Sequence, residues 1–112
     1  MIKIIIVRSL RNELLKKLKK DSLKVYKLIG ELKSNPNKGK SLGHVGHISI
    51  RELKYKTFRF YYILDGHKLN LFNRDQLKEL LIKFIAMSKK NNQQETIDEI
   101  KAILKTIGFD KL

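Results

Sequence analysis

The sequence predicts an α+β fold in which an antiparallel β-sheet carries a packed N-terminal helical hairpin and a C-terminal helix. Three patterns support this prediction: β-branched and aromatic runs within residues 2–7 and 47–72, leucines at helical spacing between 10 and 32, and an isoleucine stripe near the C-terminus. The 112 residues, 42% of them hydrophobic, suffice for one compact core. Residues 1–112 are therefore assigned to a single domain.

The N-terminal third predicts a strand followed by two helices. Residues 2–7 are almost continuously apolar and β-branched, which indicates a buried strand. Ser9 is a suitable N-cap for an amphipathic helix over 10–19, and Asp21 or Ser22 caps a second helix. The second helix ends before Pro36, because the residue preceding a proline avoids helical angles. Its apolar stripe consists of Leu23, Tyr26, Ile29 and Leu32.

Residues 35–46 predict a loop, since they hold the only proline and are rich in glycine and asparagine. A strand is expected from His47, with a turn at residues 54–56 and a second, aromatic-rich strand over 57–64. Asp65-Gly66 is a strong hairpin signal, so a third strand is expected over 67–72.

The C-terminal part contains one ambiguous segment and one clear helix. Residues 77–87 fit either a helix or a buried strand, because apolar periodicity does not separate the two in so short a run. The last helix runs from Asn92 or Gln93 to Ile107, and Gly108 stands where a helix C-cap is expected.

Charge is the strongest bulk signal, with 25 Lys and Arg against 11 Asp and Glu, a formal net charge of +14. Such a balance favours a polyanionic partner such as a nucleic acid, although an acidic protein would suit the same surface. AT-rich coding or a hot habitat would produce a similar composition without such a partner. The absence of cysteine excludes disulfides and thiolate zinc sites and fits a reducing cytoplasm. The only apolar N-terminal run is too short to span a bilayer, so a soluble, cytoplasmic protein without a membrane partner is expected.

Several short motifs, weak singly, follow one another in an order that resembles the RelE/ParE superfamily of toxins. They are Pro36, Gly39-Lys40-Ser41-Leu42, Glu52-Leu53-Lys54, Arg59, Tyr61-Tyr62, Lys89-Lys90 and Glu99-Ile100. The resemblance covers nearly the whole chain. It implies a RelE/ParE-like fold, and by analogy it implies that residues 80–88 form a strand.

The resemblance also implies a function, the toxin of a type II toxin–antitoxin system. Such a toxin would be a metal-independent endoribonuclease that cleaves mRNA on the ribosome, needs no cofactor and is neutralised by an acidic antitoxin protein. The implied catalytic residues are Arg59 and Lys54, which would stabilise the phosphoryl oxygens, and Lys90, which would protonate the leaving group. The implied RNA-binding residues are Lys40, Lys56, Tyr61 and Lys89.

A noncatalytic relative, such as a gyrase inhibitor or an RNA- or protein-binding module, is the alternative. The family has a base-stacking tyrosine near the position of Thr96, and residues 71–79 are extra material relative to the family pattern. Simpler roles are open as well: Arg59 pairing with Glu52 across strands, solvated lysines, and at least one of Tyr61 and Tyr62 packed in the core. His44 and His47 lack the further ligands of a metal site, so His47 is considered as an acid or base instead.

Overall fold

The computed structural model describes residues 2–109 and confirms the α+β class, with a five-stranded mixed sheet and helices on both of its faces. No helix in residues 2–109 combines the length and the apolar character needed to cross a membrane. In chain order the elements are β1 (Lys3–Ile6), α1 (Arg8–Leu18), α2 (Ser22–Gly30), β2 (Lys40–Val45), β3 (Ile48–Tyr55), β4 (Phe58–Asp65), β5 (Lys68–Phe72), α3 (Arg74–Lys90) and α4 (Gln94–Thr106).

The strands are ordered β1-β5-β4-β3-β2, and the prediction of a purely antiparallel sheet is wrong for one pair. β2, β3, β4 and β5 form a meander of antiparallel neighbours, whereas β1 runs parallel to β5, with Ile4 opposite Leu69. β1 and β2 lie at opposite edges of the sheet, and the helical hairpin between them carries the chain from one edge to the other. This long connection lets β1 pair with β5 and run in the same direction, which a tight hairpin turn would not allow.

Each face of the sheet is buried under its own pair of helices. On one face, termed the hairpin face, Phe60 and Tyr62 of β4 pack with Leu10 and Leu14 of α1 and with Val25 of α2. The opposite face, termed the α3/α4 face, buries a second cluster. This cluster includes Ile50, Tyr61, Ile63, Leu77, Leu81, Ile85, Ile97, Ile100 and Ile103. The alternation of side chains along β4 explains the split, because successive residues point to opposite faces.

Residues 40–45 form strand β2, so the prediction of a loop throughout 35–46 is wrong for this part. The register of β2 shifts between Ser41 and Gly43, which marks a β-bulge. Gly43 has a φ of 141°, and a Cβ there would lie 3.1 Å from the Ile103 side chain. The glycines and polar residues that indicated a loop instead belong to an edge strand whose bulge lets α4 approach closely.

Residues 80–88 belong to helix α3, so the strand implied by the family resemblance is wrong. The side chain of Asn73 caps the helix by accepting a hydrogen bond from the backbone N–H of Gln76 at 2.9 Å. The buried residues Leu77, Leu81, Ile85 and Ser88 recur at spacings of three and four. This period fits a helix laid on the sheet and not an added strand.

The turn between β3 and β4 begins later than predicted. β3 continues through Tyr55, and the turn consists of Lys56 and Thr57, with Lys56 at a φ of 55°. Lys54 is consequently a strand residue and lies opposite Arg59.

A buried tyrosine fixes the loop that enters β2. The Tyr62 hydroxyl donates a hydrogen bond to the Pro36 carbonyl at 2.6 Å and accepts one from the Gly39 N–H at 3.0 Å. Arg51 donates to the Gly39 carbonyl at 2.7 Å. Burial raises the pKa of Tyr62, with the Gly39 N–H and the Arg51 charge acting in the opposite direction. Tyr62 therefore has a structural role.

Candidate nucleic-acid interface

Lys54 and Arg59 lie side by side on β3 and β4, on the α3/α4 face of the sheet. They are direct cross-strand partners, and both are exposed. Ile50 and Tyr61 point to the same face but are buried beneath α3 and α4. The helices thus leave this end of the face open, and the two cations occupy the opening.

Two more cations border the same end of the sheet. Lys40 of β2 pairs with Glu52, Glu52 pairs with Tyr61, and Tyr61 pairs with Phe72 at the end of β5. Arg74, two residues after Phe72, begins α3. We call the exposed residues Lys40, Lys54, Arg59 and Arg74 the cationic corner.

Arg74 is the member of this site that the sequence analysis missed. A Cβ added to Gly108 would lie 3.1 Å from Nη2 of Arg74, so the guanidinium rests against the residues that follow α4. The signal in the sequence was an arginine two residues after the last strand, within residues 71–79, which are extra relative to the RelE/ParE pattern. The spacing of residues along the sequence did not place Arg74 beside Lys54 and Arg59, because that placement depends on where α3 begins.

Glu52 is the single carboxylate beside Arg59 in the described sheet. Its side chain is 14% exposed, and its Oε2 lies 3.8 Å from Nη1 of Arg59. The structural pairing anticipated from the sequence is therefore present, although Arg59 is 55% exposed and a pair so open to solvent contributes little stability. Arg59 can hold Glu52 and still present its guanidinium to a phosphate, because the fork has five donors.

Tyr61 forms the floor of the corner and is 3% exposed. Burial, and then the negative charge of Glu52, raises the pKa of Tyr61, while Arg74 and Arg59 act in the opposite direction. Because Tyr62 is also fully buried, neither ring offers a free face on which a base could stack. The sequence did not reveal this because it gave no sign that helices cover both faces of β4.

Lys56 lies next to the corner but points away from it. Its Nζ lies 3.0 Å from Oδ2 of Asp21, in the connection between α1 and α2. This hydrogen bond lowers the pKa of Asp21 and raises that of Lys56. Lys56 thus ties the β3–β4 turn to the helical hairpin.

Lys89 and Lys90 are not brought together with Lys54 and Arg59. They end α3, whose 17 residues rise about 25 Å from Arg74. A pocket of about 190 Å³ at that end is lined by Val45 and Ile48, at the opposite end of β3 from Lys54, and by Ser88 and Thr96. The expected convergence fails because the segment ending in Lys90 is a helix and not a strand.

The histidine considered as an acid or base is also remote from the corner. His47 lies between β2 and β3, and its Nε2 lies 2.9 Å from Oδ1 of Asp65. Within residues 2–109, no group of three or more histidine or carboxylate side chains is arranged to hold a metal ion.

Comparisons with family models, with curated proteins and with solved structures find no match to this chain.

Proposed function

We propose that this chain is the toxin of a type II toxin–antitoxin system and that its cationic corner binds mRNA for cleavage on the ribosome. The observation that carries the proposal is the exposed Lys54–Arg59 pair at the open end of the sheet, beside Lys40 and Arg74. A guanidinium fork and ammonium groups on a rigid sheet are suited to hold a phosphodiester. The formal net charge of +14 adds attraction for RNA over longer distances.

The proposed reaction is an attack of the ribose 2′-oxygen on the adjacent phosphorus, with loss of the 5′-oxygen. Glu52 accepts the 2′ proton, and Arg59 bridges the nonbridging oxygens as negative charge develops there. Lys54, an ammonium opposite Arg59, protonates the departing 5′-oxygen in the role that the resemblance gives to Lys90. The products are a 2′,3′-cyclic phosphate and a 5′-hydroxyl, and every group in this scheme is a side chain.

A noncatalytic toxin-like binder is the second candidate, and two observations favour it. Lys90, expected to be catalytic, lies at the far end of α3, and Tyr61, expected to bind RNA, is buried. Such a protein would inhibit gyrase or bind RNA or another protein without cutting RNA. An acidic antitoxin fits both candidates, because a positive surface attracts an acidic chain. A cytoplasmic location is proposed as well, because the proposed substrate is mRNA on the ribosome.

Substitution of Arg59 by alanine tests the proposal. We expect growth arrest on induction to be relieved, and cuts within translated messages to disappear, because the phosphate fork is removed while a solvent-exposed position tolerates the change. Arg11→Ala, an exposed arginine on α1, is the matched control and should leave arrest unchanged. Circular dichroism of the purified variants checks that both fold.

The outcomes separate the two candidates. Cuts that appear with wild type and vanish with Arg59→Ala support the endoribonuclease. Arrest without cuts supports the noncatalytic binder. Full arrest by a well-folded Arg59→Ala protein would reject the corner as the functional site.

A further inference from the structure

The connection between α1 and α2 contains a lysine in a backbone conformation that normally requires glycine. Lys19 has a φ of 48° and a ψ of −113°. Side chains with a Cβ avoid this region, which lies outside the small left-handed basin. A residue held there lowers the stability of the fold, and such strain is concentrated at functional positions.

The neighbours of Lys19 hold its backbone in this conformation. The Lys19 N–H donates to the Leu15 carbonyl, and the buried Ser22 hydroxyl donates to the Lys19 carbonyl at 2.6 Å. A glycine at position 19 would make the same backbone bonds without the strain. The fold therefore accounts for the conformation but not for the lysine side chain.

Lys19 and Lys20 are exposed and have no ion-pair partner within residues 2–109. The adjacent carboxylate, Asp21, is engaged by Lys56 at 3.0 Å and by Lys24 at 4.0 Å. The two lysines thus carry charge that no interaction in the described structure uses.

The Asp21–Lys56 contact joins this connection to the cationic corner. Lys56 follows Lys54 by two residues and lies in the turn between β3 and β4. Lys19 and Lys20 therefore belong to the connection between the helices of the hairpin face, and they are separated from the corner by the β3–β4 turn, where Lys56 is paired with Asp21.

We infer that Lys19 and Lys20 form a second phosphate-binding segment that extends the corner, so that the protein binds a run of consecutive RNA phosphates. This inference rests on the proposed function, which makes RNA the ligand of the corner. RNA is favoured over an acidic protein because the two unpaired lysines lie around the β3–β4 turn from the surface assigned to a phosphodiester. A short oligonucleotide would occupy the corner alone, and a longer one would reach the connection between the helices.

The test measures binding of a trinucleotide and of a single-stranded RNA of about 12 nucleotides to the full chain. Lys19→Gly should weaken binding of the longer RNA about fivefold at ~0.1 M salt, because one lost phosphate contact lowers the salt slope by about 0.7. It should leave trinucleotide binding unchanged and give a melting temperature no lower than that of wild type. Lys101→Ala, an exposed lysine on α4, is the control and should change neither affinity.

The alternative outcomes are distinct. If Arg59→Ala weakens binding of both RNAs and Lys19→Gly weakens neither, this inference fails and the proposed function stands. If Arg59→Ala weakens neither, the proposed function fails, and the inference fails with it. If Lys19→Gly lowers the affinity for a polyglutamate peptide by the same factor as the affinity for the longer RNA, the segment is a site for an acidic protein. Its assignment to RNA is then overturned.

Discussion

At the scale of single residues, Gly39 connects the loop before β2 to the core of the sheet. A Cβ at this position would lie 2.8 Å from the Glu52 carbonyl oxygen and 2.8 Å from Cε1 of Tyr62. Both neighbours are fixed, since Glu52 belongs to a central strand and the Tyr62 hydroxyl makes two hydrogen bonds to the loop. Gly39 thus has a packing role, and the next residue, Lys40, belongs to the cationic corner.

Gly39→Ala should accordingly destabilise the protein by about 2 kcal/mol or more, because the strand or Tyr62 must shift to relieve the overlap. Gly30→Ala is the matched control: Gly30 ends α2 at a φ of −60°, and nothing lies within 4 Å of the added Cβ. This control should raise the free energy of unfolding by roughly 0.5 kcal/mol. Urea denaturation of both variants measures the two changes. Equal stabilities would show that the loop packs elsewhere.

The residues of the corner were only partly predictable from sequence. Lys54, Arg59 and Lys40 were predicted from the RelE/ParE resemblance, although Lys40 was expected in a loop and Lys54 in a turn. In the structure all three lie on paired strands and share a face. Arg74 was missed because its placement depends on the start of α3. Tyr61 was expected to be available to RNA, and its burial follows from helices that cover the second face of the sheet.

At the scale of elements, prediction worked where the periodicity was long and failed where tertiary contacts decided the outcome. Helix α4 carries an isoleucine stripe over 13 residues and was anticipated within about two residues at each end. β2 was missed because its glycines and polar residues serve a bulged edge. The helix α3 was left ambiguous by its residues, and the family pattern then favoured the wrong alternative.

The helical state of α3 has a functional consequence that can be measured. Lys90→Ala should leave RNA cleavage and trinucleotide binding unchanged, because α3 carries this residue about 25 Å from Arg74 and the corner. Lys54→Ala, by contrast, should lower the cleavage rate by a factor of about 100 or more, since a positioned acid contributes on the order of 100-fold to 10,000-fold.

Single-turnover rates on one RNA substrate compare the two variants directly. The remaining exposed cations of α3 offer a control, because Lys83→Ala removes the same charge from the middle of the helix. A loss of cleavage confined to Lys90→Ala would contradict the position of α3 and would restore the role that the family resemblance assigns to Lys90.

At the scale of the whole molecule, the burial of both sheet faces leaves the charged residues on a thin outer layer. The formal net charge of +14 is carried by a chain of 112 residues, and the five pairs of lysine or arginine with a carboxylate within residues 2–109 neutralise only part of its cations. Unbalanced positive charges repel one another, which favours the unfolded chain because it places them farther apart. The same unbalanced charges attract RNA. A larger net positive charge therefore strengthens the proposed RNA binding and lowers the stability of the fold.

Salt should therefore change the two properties in opposite directions. Raising NaCl from about 10 mM to about 100 mM shortens the screening length from about 30 Å to about 10 Å, so repulsion within the fold weakens and the melting temperature should rise. Over the same range the affinity for single-stranded RNA should fall by about two to three orders of magnitude, if the four cations of the corner each neutralise one phosphate. Calorimetry and fluorescence anisotropy measure the two responses on one preparation, and sucrose at equal osmolality controls for effects other than screening. A melting temperature that falls with NaCl would mean that attractive pairs outweigh repulsion in the folded state, and the unpaired lysines would then have partners that the fold does not show.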